Sequence, residues 1–487
     1  MTTRPPSLHP AVLPMSRPRS TMKGPGTSLV PQSRLLFWFA VIALPFSVLG
    51  AVYPEAGLVS WCLILGLLAA AVLDAGRAGH QLDGVRIELP ALVRFSKDRA
   101  ASLPVVIHNE SGRALRLRLG LGLPADLPSP EEDRVVLLPG GTDRSQLDWP
   151  CQPRRRGRLE VQRAYLEAAS PFGFWAVRRS VAAPCEVRVY PNLQSERNRL
   201  AALFLNRGIF GLHAQRQVGK GREFEKLREY VPGDGYDEIH WKATARRGHP
   251  ITKVFQIERT QEVYVIVDTS RLSARAVDGA VRPRRTDGLA PDASHEPGRT
   301  TILERFLASA LIVGQAAEHQ GDLFGVITFA DQIQTFLRAR NGKDHYNACR
   351  DALYTIEAQP SAPDFDEIAF FIRTRLRRRA LLMFLTSLDD PVLAEAFARN
   401  MHLLAGQHLV LANMIQPPDA SPLFTRPGVE TMDDLYRHLG GHLQWHSLRE
   451  LEKVLQRRGV RFSLLNNERF ATDLVSQYVS VKQRQLL

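Results

Sequence analysis

Cysteine is scarce in this chain. The four in 487 residues, Cys62, Cys151, Cys185 and Cys349, lie far apart and form no C-x-x-C pair. That excludes a disulfide framework and a cysteine-based zinc site, and a reduced, cytosolic setting suits the soluble part. Catalytic signatures are missing as well. There is no G-x-x-x-x-G-K-[ST], since Gly219-Lys220-Gly221-Arg222 is too short, and there is no G-x-S-x-G elbow and no H-E-x-x-H. Acidic residues are in deficit, 50 against 63 Lys and Arg, and the resulting +13 favours an anionic surface, lipid or nucleic acid. With 44% apolar and 23% charged residues the chain is neither fibrous nor wholly disordered, and its length suggests about three units.

Charge is almost absent from Leu35 to Leu73, where Glu55 alone separates two apolar runs, Leu35 to Val52 and Ala56 to Leu73. At helical rise each run covers about 27 Å of a hydrocarbon core of about 30 Å, which predicts a transmembrane helical hairpin over 34–74 with Tyr53-Pro54-Glu55 at its tip and a kink at Pro45. A signal peptide followed by a core helix fits less well, because the first run exceeds a signal h-region and a second follows at once. Arg4, Arg17, Arg19, Lys23 and Arg34 precede the hairpin and Arg77 and Arg86 follow it. The positive-inside rule then places both ends, and with them the soluble domains, in the cytoplasm. Residues 1–33, rich in Pro, Ser and Arg, read as a disordered basic tail.

Alternating runs such as Val85 to Leu89 and Leu115 to Leu119, separated by turn signals including Ser170-Pro171-Phe172-Gly173, predict an all-β sandwich-like domain over 82–190. Its basic run Arg154 to Arg158 reads as a solvated turn, with lipid phosphates as the functional alternative. The C-terminal half changes period. Apolar runs at Val263 to Val267, Leu323 to Phe329, Ala380 to Leu385, His408 to Met414 and Arg461 to Leu465 alternate with helical patterns at Ile302 to Glu318, Tyr346 to Glu357, Asp366 to Arg377 and Pro391 to Ala405. Strand alternating with helix predicts a doubly wound α/β domain over 261–487, interrupted by a mobile insertion at 274–300 and closed by a helix from about Ala471.

In such a sheet, ligands sit beyond the carboxyl ends of the strands, so the turns to inspect are Asp268 to Ser273 and Thr386 to Asp390. Asp268 with Ser270 would suit a hard cation such as Mg²⁺, and Asp390 before Pro391 is an N-cap. His438, His442 and His446 recur at intervals of four, but Gly440-Gly441 weakens that helix and a partly exposed polar stretch is the default. The connector at 191–260 mixes charged and large apolar residues around Pro232-Gly233-Asp234-Gly235. It reads as a structural joint or, given its Trp, Tyr and Arg content, as a partner surface carried by Arg222, Glu223, Arg228, Tyr230, Asp234, Trp241 and Arg246.

This connector resembles the family catalogued as domain of unknown function 58. Its pattern G-x-G-x-E-F-x-x-L-R-x-Y-x-x-G-D is met by Gly219, Gly221, Glu223, Phe224, Leu227, Arg228, Tyr230, Gly233 and Asp234. Ile239, Trp241, Thr244, Ala245 and Arg246 follow, then Glu258, Arg259 and Asp268. The resemblance implies a von Willebrand factor A-like domain in the C-terminal half, with Asp268-Thr269-Ser270 in the place of its metal-ion-dependent adhesion site and a MoxR-type AAA+ ATPase as partner. The pattern is degenerate: Leu272 stands where the second serine belongs, and Ser387 stands where an Asp would, with Asp389 two residues on. These readings together predict a non-enzymatic interaction scaffold anchored in a bacterial inner membrane, whose binding surface is metal-independent and which keeps at most a weak Mg²⁺ site at Asp268, Ser270 and Asp389. The alternatives are a metal-assisted hydrolase using Asp268 and Asp389, and a nucleic-acid-binding protein driven by the positive charge.

Overall fold

The computed structural model describes residues 27–207, 218–232, 235–236, 239–256, 261–277, 300–423, 425 and 431–484. The chain divides into two compact units. One comprises the residues up to Val93, Ala101–Cys151 and Glu160–Val187; the other comprises Arg94–Ala100, Gln152–Leu159 and Arg188–Leu487.

In the first unit a strand, β1 (Thr27–Pro31), precedes the helices and pairs antiparallel with β9 (Trp175–Tyr190). The predicted tail therefore ends in a strand over its last residues, because pairing with a sheet edge satisfies a backbone that carries little apolar signal of its own. Residues 1–26 lie outside the described residues. The first apolar helix runs Ser33–Val52 and the second Gly57–Ala78, each long and apolar enough to cross a membrane. The first is α1 (Ser33–Trp38), a π-helical turn (Phe39–Ala43) and α2 (Leu44–Val52); the second is α3. The π turn lies directly before Pro45, where the ring clashes with the preceding turn and removes a donor, so a wider turn absorbs the disruption. Gly50 lets the helices approach: a Cβ there would fall 3.2 Å from that of Ser60.

Eight strands follow: β2 (Val85–Glu88), β3 (Leu92–Ser96), β4 (Ala101–Asn109), β5 (Leu115–Leu121), β6 (Asp133–Leu138), β7 (Arg144–Cys151), β8 (Gly157–Ala169) and β9. Together with β1 they form a three-stranded sheet, β2-β4-β7, and a six-stranded sheet, β1-β9-β8-β5-β6 with β3 also on β9. Alternation puts Leu103, Val105 and Ile107 of β4 and Leu117 and Leu119 of β5 in the core, as half-buried strands require.

The second unit begins with α4 (Gln194–Arg207), then a two-stranded sheet of β10 (Val218–Glu229) and β11 (Ile251–Gln256) bracketing α5 (Trp241–Arg247). The main sheet has the order β14-β13-β12-β15-β16-β17. Its strands are β12 (Glu262–Asp268), β13 (Leu323–Phe329), β14 (Ile333–Arg340), β15 (Leu381–Leu385), β16 (Leu409–Ile415) and β17 (Arg461–Leu465). All pairings are parallel except β13 with β14. That antiparallel edge is absent from the sequence expectation, since Ile333–Arg340 is mostly half-buried and lacks the continuous apolar run of its neighbours.

Helices cover both faces. The sheet face bearing Val263, Val265 and Val267 meets α6 (Ile302–His319), α7 (Lys343–Leu353) and α11 (Phe470–Gln483). The face bearing Tyr264 and Ile266 meets α8 (Phe365–Arg375), α9 (Pro391–Ala405) and α10 (Met432–Arg457). Val263 to Val267 are wholly buried, each aliphatic side chain contributing about 1.5–3 kcal/mol.

Candidate functional site

The chain winds from β12 to one side of the sheet and from β15 to the other, so the order reverses between these two strands. A crevice opens at such a point. Asp268, the last residue of β12, and Thr386, just after β15, meet there: the Thr386 hydroxyl donates to Asp268 Oδ2 at 2.6 Å, and the Ser270 N–H donates to Oδ1 at 2.8 Å. Thr269 Oγ1 lies 2.8 Å from the Phe329 carbonyl and 3.0 Å from Gln334 Oε1, which ties this turn to β13 and β14. Asp268, Thr269 and Ser270 are buried. Burial holds the Asp268 carboxyl above the usual carboxylate range, against the hydrogen bonds from Thr386 and Ser270 and the nearby Arg275 guanidinium.

Asp389 has a different partner. Arg275 grips it with both terminal nitrogens, at 2.5 and 3.2 Å. The predicted metal site thus has one carboxylate engaged by hydrogen-bond donors and the other by a guanidinium, while Ser270 Oγ accepts from the Leu272 N–H at 3.4 Å. No group of three or more His, Cys, Asp or Glu side chains suited to an ion occurs among the described residues. The Asp389 charge that a cation would neutralise is paired with Arg275, so an ion held by Asp268, Ser270 and Asp389 would have to displace that guanidinium. Arg275 belongs to the predicted insertion, whose residues 278–299 lie outside the described residues. The two described ends of that segment are joined, the Val277 N–H donating to the Thr300 carbonyl at 3.1 Å.

The signature block forms the β10–β11 module. The His240 imidazole accepts from the Ala243 N–H at 3.0 Å and caps α5, Thr244 Oγ1 accepts from the Ile251 N–H at 3.0 Å, and Gly248 closes the helix at φ 75°. Thr244 and Gly248 are thus structural. Trp241 is 68% exposed, and Arg246, five residues further along the same helix, is exposed as well; Tyr236 stacks on the half-buried Tyr230 at 6.2 Å, and Arg228 is half-buried. Arg222 and Glu223 are on β10, and Asp234 lies outside the described residues, as do Gly233, Glu258 and Arg259. Trp241, Arg246 and Tyr230 belong to one small module, separate in sequence and in strand pairing from the Asp268 turn.

The run at Arg154 to Arg158 is not a free basic turn. Arg156 donates to the carbonyls of Leu353 and Tyr354, both at 2.9 Å, at the end of α7, and Arg155 pairs with Glu357 at 2.5 Å. A cation belongs at a helix C-terminus, and burial draws the Arg156 guanidinium pKa down to about 10. The adjoining cavity of about 190 Å³ is lined by Lys97, Arg156 and Arg305 together with Asp98, Glu196 and Glu304. Its charges pair internally, Lys97 with Glu304 and Arg305 with Glu196, so no sign of charge dominates it. These pairs join residues more than a hundred positions apart, and no local signal could have found them. The three histidines lie on α10, which runs unbroken through Gly440 and Gly441. Position 441 requires glycine, since a Cβ there would fall on the Asp419 carbonyl. His442 accepts from the Leu423 N–H at 3.2 Å and stacks on Trp445.

Comparison with known proteins agrees with the signature. The family model described as protein of unknown function DUF58 matches residues 226–280 and 293–433. Uncharacterized proteins of Mycobacterium bovis and Mycobacterium tuberculosis are each 25% identical over 217 residues, which cover 43% of this chain and 60% of theirs. The chain thus spans less than two thirds of these relatives. An aerotolerance-related membrane protein from Bacteroides fragilis superposes with a TM-score of 0.27 and 16% identity over 45% of this chain and 98% of that one. The SpRpn10 VWA domain gives 0.26 and 10% over 45% and 95%.

Proposed function

We propose, from the premise that this chain carries a DUF58 region, that it is a membrane-anchored cytoplasmic adaptor of the bacterial inner membrane that recruits a MoxR-type AAA+ ATPase through the β10–β11 module. The observation that supports the reading is Trp241, an indole 68% exposed on a short helix whose ends are closely capped. A large aromatic costs solvation when bare and dominates an interface when covered. The hairpin would hold this surface at the membrane, and the α/β unit would carry it. The mechanism is recruitment, without turnover of a substrate.

The pairing of Asp389 with Arg275 weighs against the hydrolytic reading, since a hydrolase of that kind needs both carboxylates for an ion. The adaptor would accordingly work without a divalent cation. The test is capture of the MoxR-type ATPase of the same organism by the detergent-solubilised full chain. Capture by the wild type, unaffected by a chelator and lost in Trp241→Ala with Arg246→Ala, supports the proposal; equal capture by wild type and variant, or none by either, overturns it.

A further inference from the structure

Asp74 lies in α3 one residue beyond the apolar run that ends at Leu73, and it is fully buried. Three donors from a single turn satisfy it: Ser170 Oγ at 2.5 Å and the N–H groups of Phe172 and Phe174 at 3.0 and 3.1 Å. The Trp175 indole N–H donates to the Ala71 carbonyl at 2.9 Å, and the Gln32 N–H, just ahead of α1, donates to the Phe174 carbonyl at 2.8 Å. Both open ends of the hairpin therefore hold this turn. At helical rise Asp74 stands about 26 Å along α3 from Gly57, against a hydrocarbon thickness of about 30 Å, so the turn sits close to where acyl chains give way to headgroups. A bare carboxylate at that depth is expensive, and the turn's three donors remove the cost.

What the turn presents outward is apolar. Phe172 is 52% exposed and its ring lies 6.2 Å from that of Phe174, and the guanidinium of the exposed Arg34 lies over Gly173. Gly173 has φ 76° and a Cβ there would fall 3.1 Å from Arg34, so both the turn and the arginine need glycine. Aromatic rings beside arginine at this level are what a bilayer interface accommodates.

We propose that the turn from Ser170 to Trp175 is a membrane foot: Phe172 seats in the headgroup–acyl boundary of the bilayer, Arg34 reaches lipid phosphates, and Asp74 is the peg that fixes the turn at that depth. This rests on the hairpin spanning the membrane. The test uses the full chain in nanodiscs of phosphatidylethanolamine and phosphatidylglycerol, with a bimane label either on the exposed native Cys62 or, in a Cys62→Ser background, on Phe172→Cys. Substituting an exposed side chain leaves the backbone donors to Asp74 in place. Quenching at position 172 by lipid nitroxides near the headgroup, exceeding that by aqueous iodide, is the expected result. Iodide quenching that equals or exceeds it, or no quenching, at position 172 while Cys62 is quenched by lipid nitroxides would overturn the foot and leave the span intact. Loss of lipid quenching at both positions would overturn both.

Discussion

The second unit's sheet carries a buried aspartate at each end, and the two are treated differently. Asp322, just before β13, accepts from the Gln261 N–H at 3.1 Å and from the Tyr478 hydroxyl, and pairs with Lys482 at 2.8 Å. Asp268, at the far end of β12, has neutral donors and, among the described residues, no ion pair of its own. The first is a structural bolt that ties α11 to the sheet. Burial pushes the Tyr478 hydroxyl far above its ordinary range, and the Asp322 charge adds to the shift. The second holds a carboxyl whose charge is poorly supported. Satisfaction at one end and tension at the other is the distribution expected where the carboxyl ends of the strands are kept for function.

The sharpest way to break the contrast is Asp322→Ala, which strands Lys482, Tyr478 and the Gln261 amide; thermal or denaturant unfolding of the second unit should show a loss of about 3–5 kcal/mol. Next, Arg156→Ala, which uncovers the last carbonyls of α7, should cost about 1.5–3 kcal/mol in the same measurement. Asp268→Asn should behave in the opposite sense. A carboxyl raised on folding contributes stability that is complete below its unfolded value near 3.8 and is lost as pH rises through its folded value. The variant should therefore flatten that decline and be neutral or more stable by on the order of 1 kcal/mol at pH 7. A steeper loss with pH than in the wild type would refute the assignment. The smallest effect is expected of Trp241→Ala, within about 0.5 kcal/mol, because the ring is exposed; a large loss would mean that it is part of the core.

Much of this is legible in the residues themselves. Val263–Val267 and Leu381–Leu385 are apolar on both faces and could only be covered strands, and the Asp390 cap before Pro391 is present as expected, accepting from the Val392 N–H at 2.9 Å. The turns at Asp268 and Thr386 are identifiable from the strand ends alone, and they do meet. The partner of Asp389 is not, because Arg275 lies in a segment with no apolar period and is 114 positions away. Nor is the role of Ser170-Pro171-Phe172-Gly173, which has the composition of an ordinary turn and gains its meaning from Asp74, 96 residues earlier.

Hydropathy and period alone fixed the two apolar helices, the change from β to α/β and the ends of the parallel strands, because each depends on residues within one or two turns of chain. Tertiary structure alone decided which charges are bolted, which are strained and which lie open. A charge is stabilised by the donors and counter-charges brought within a few ångströms of it, and folding draws those from positions far along the chain.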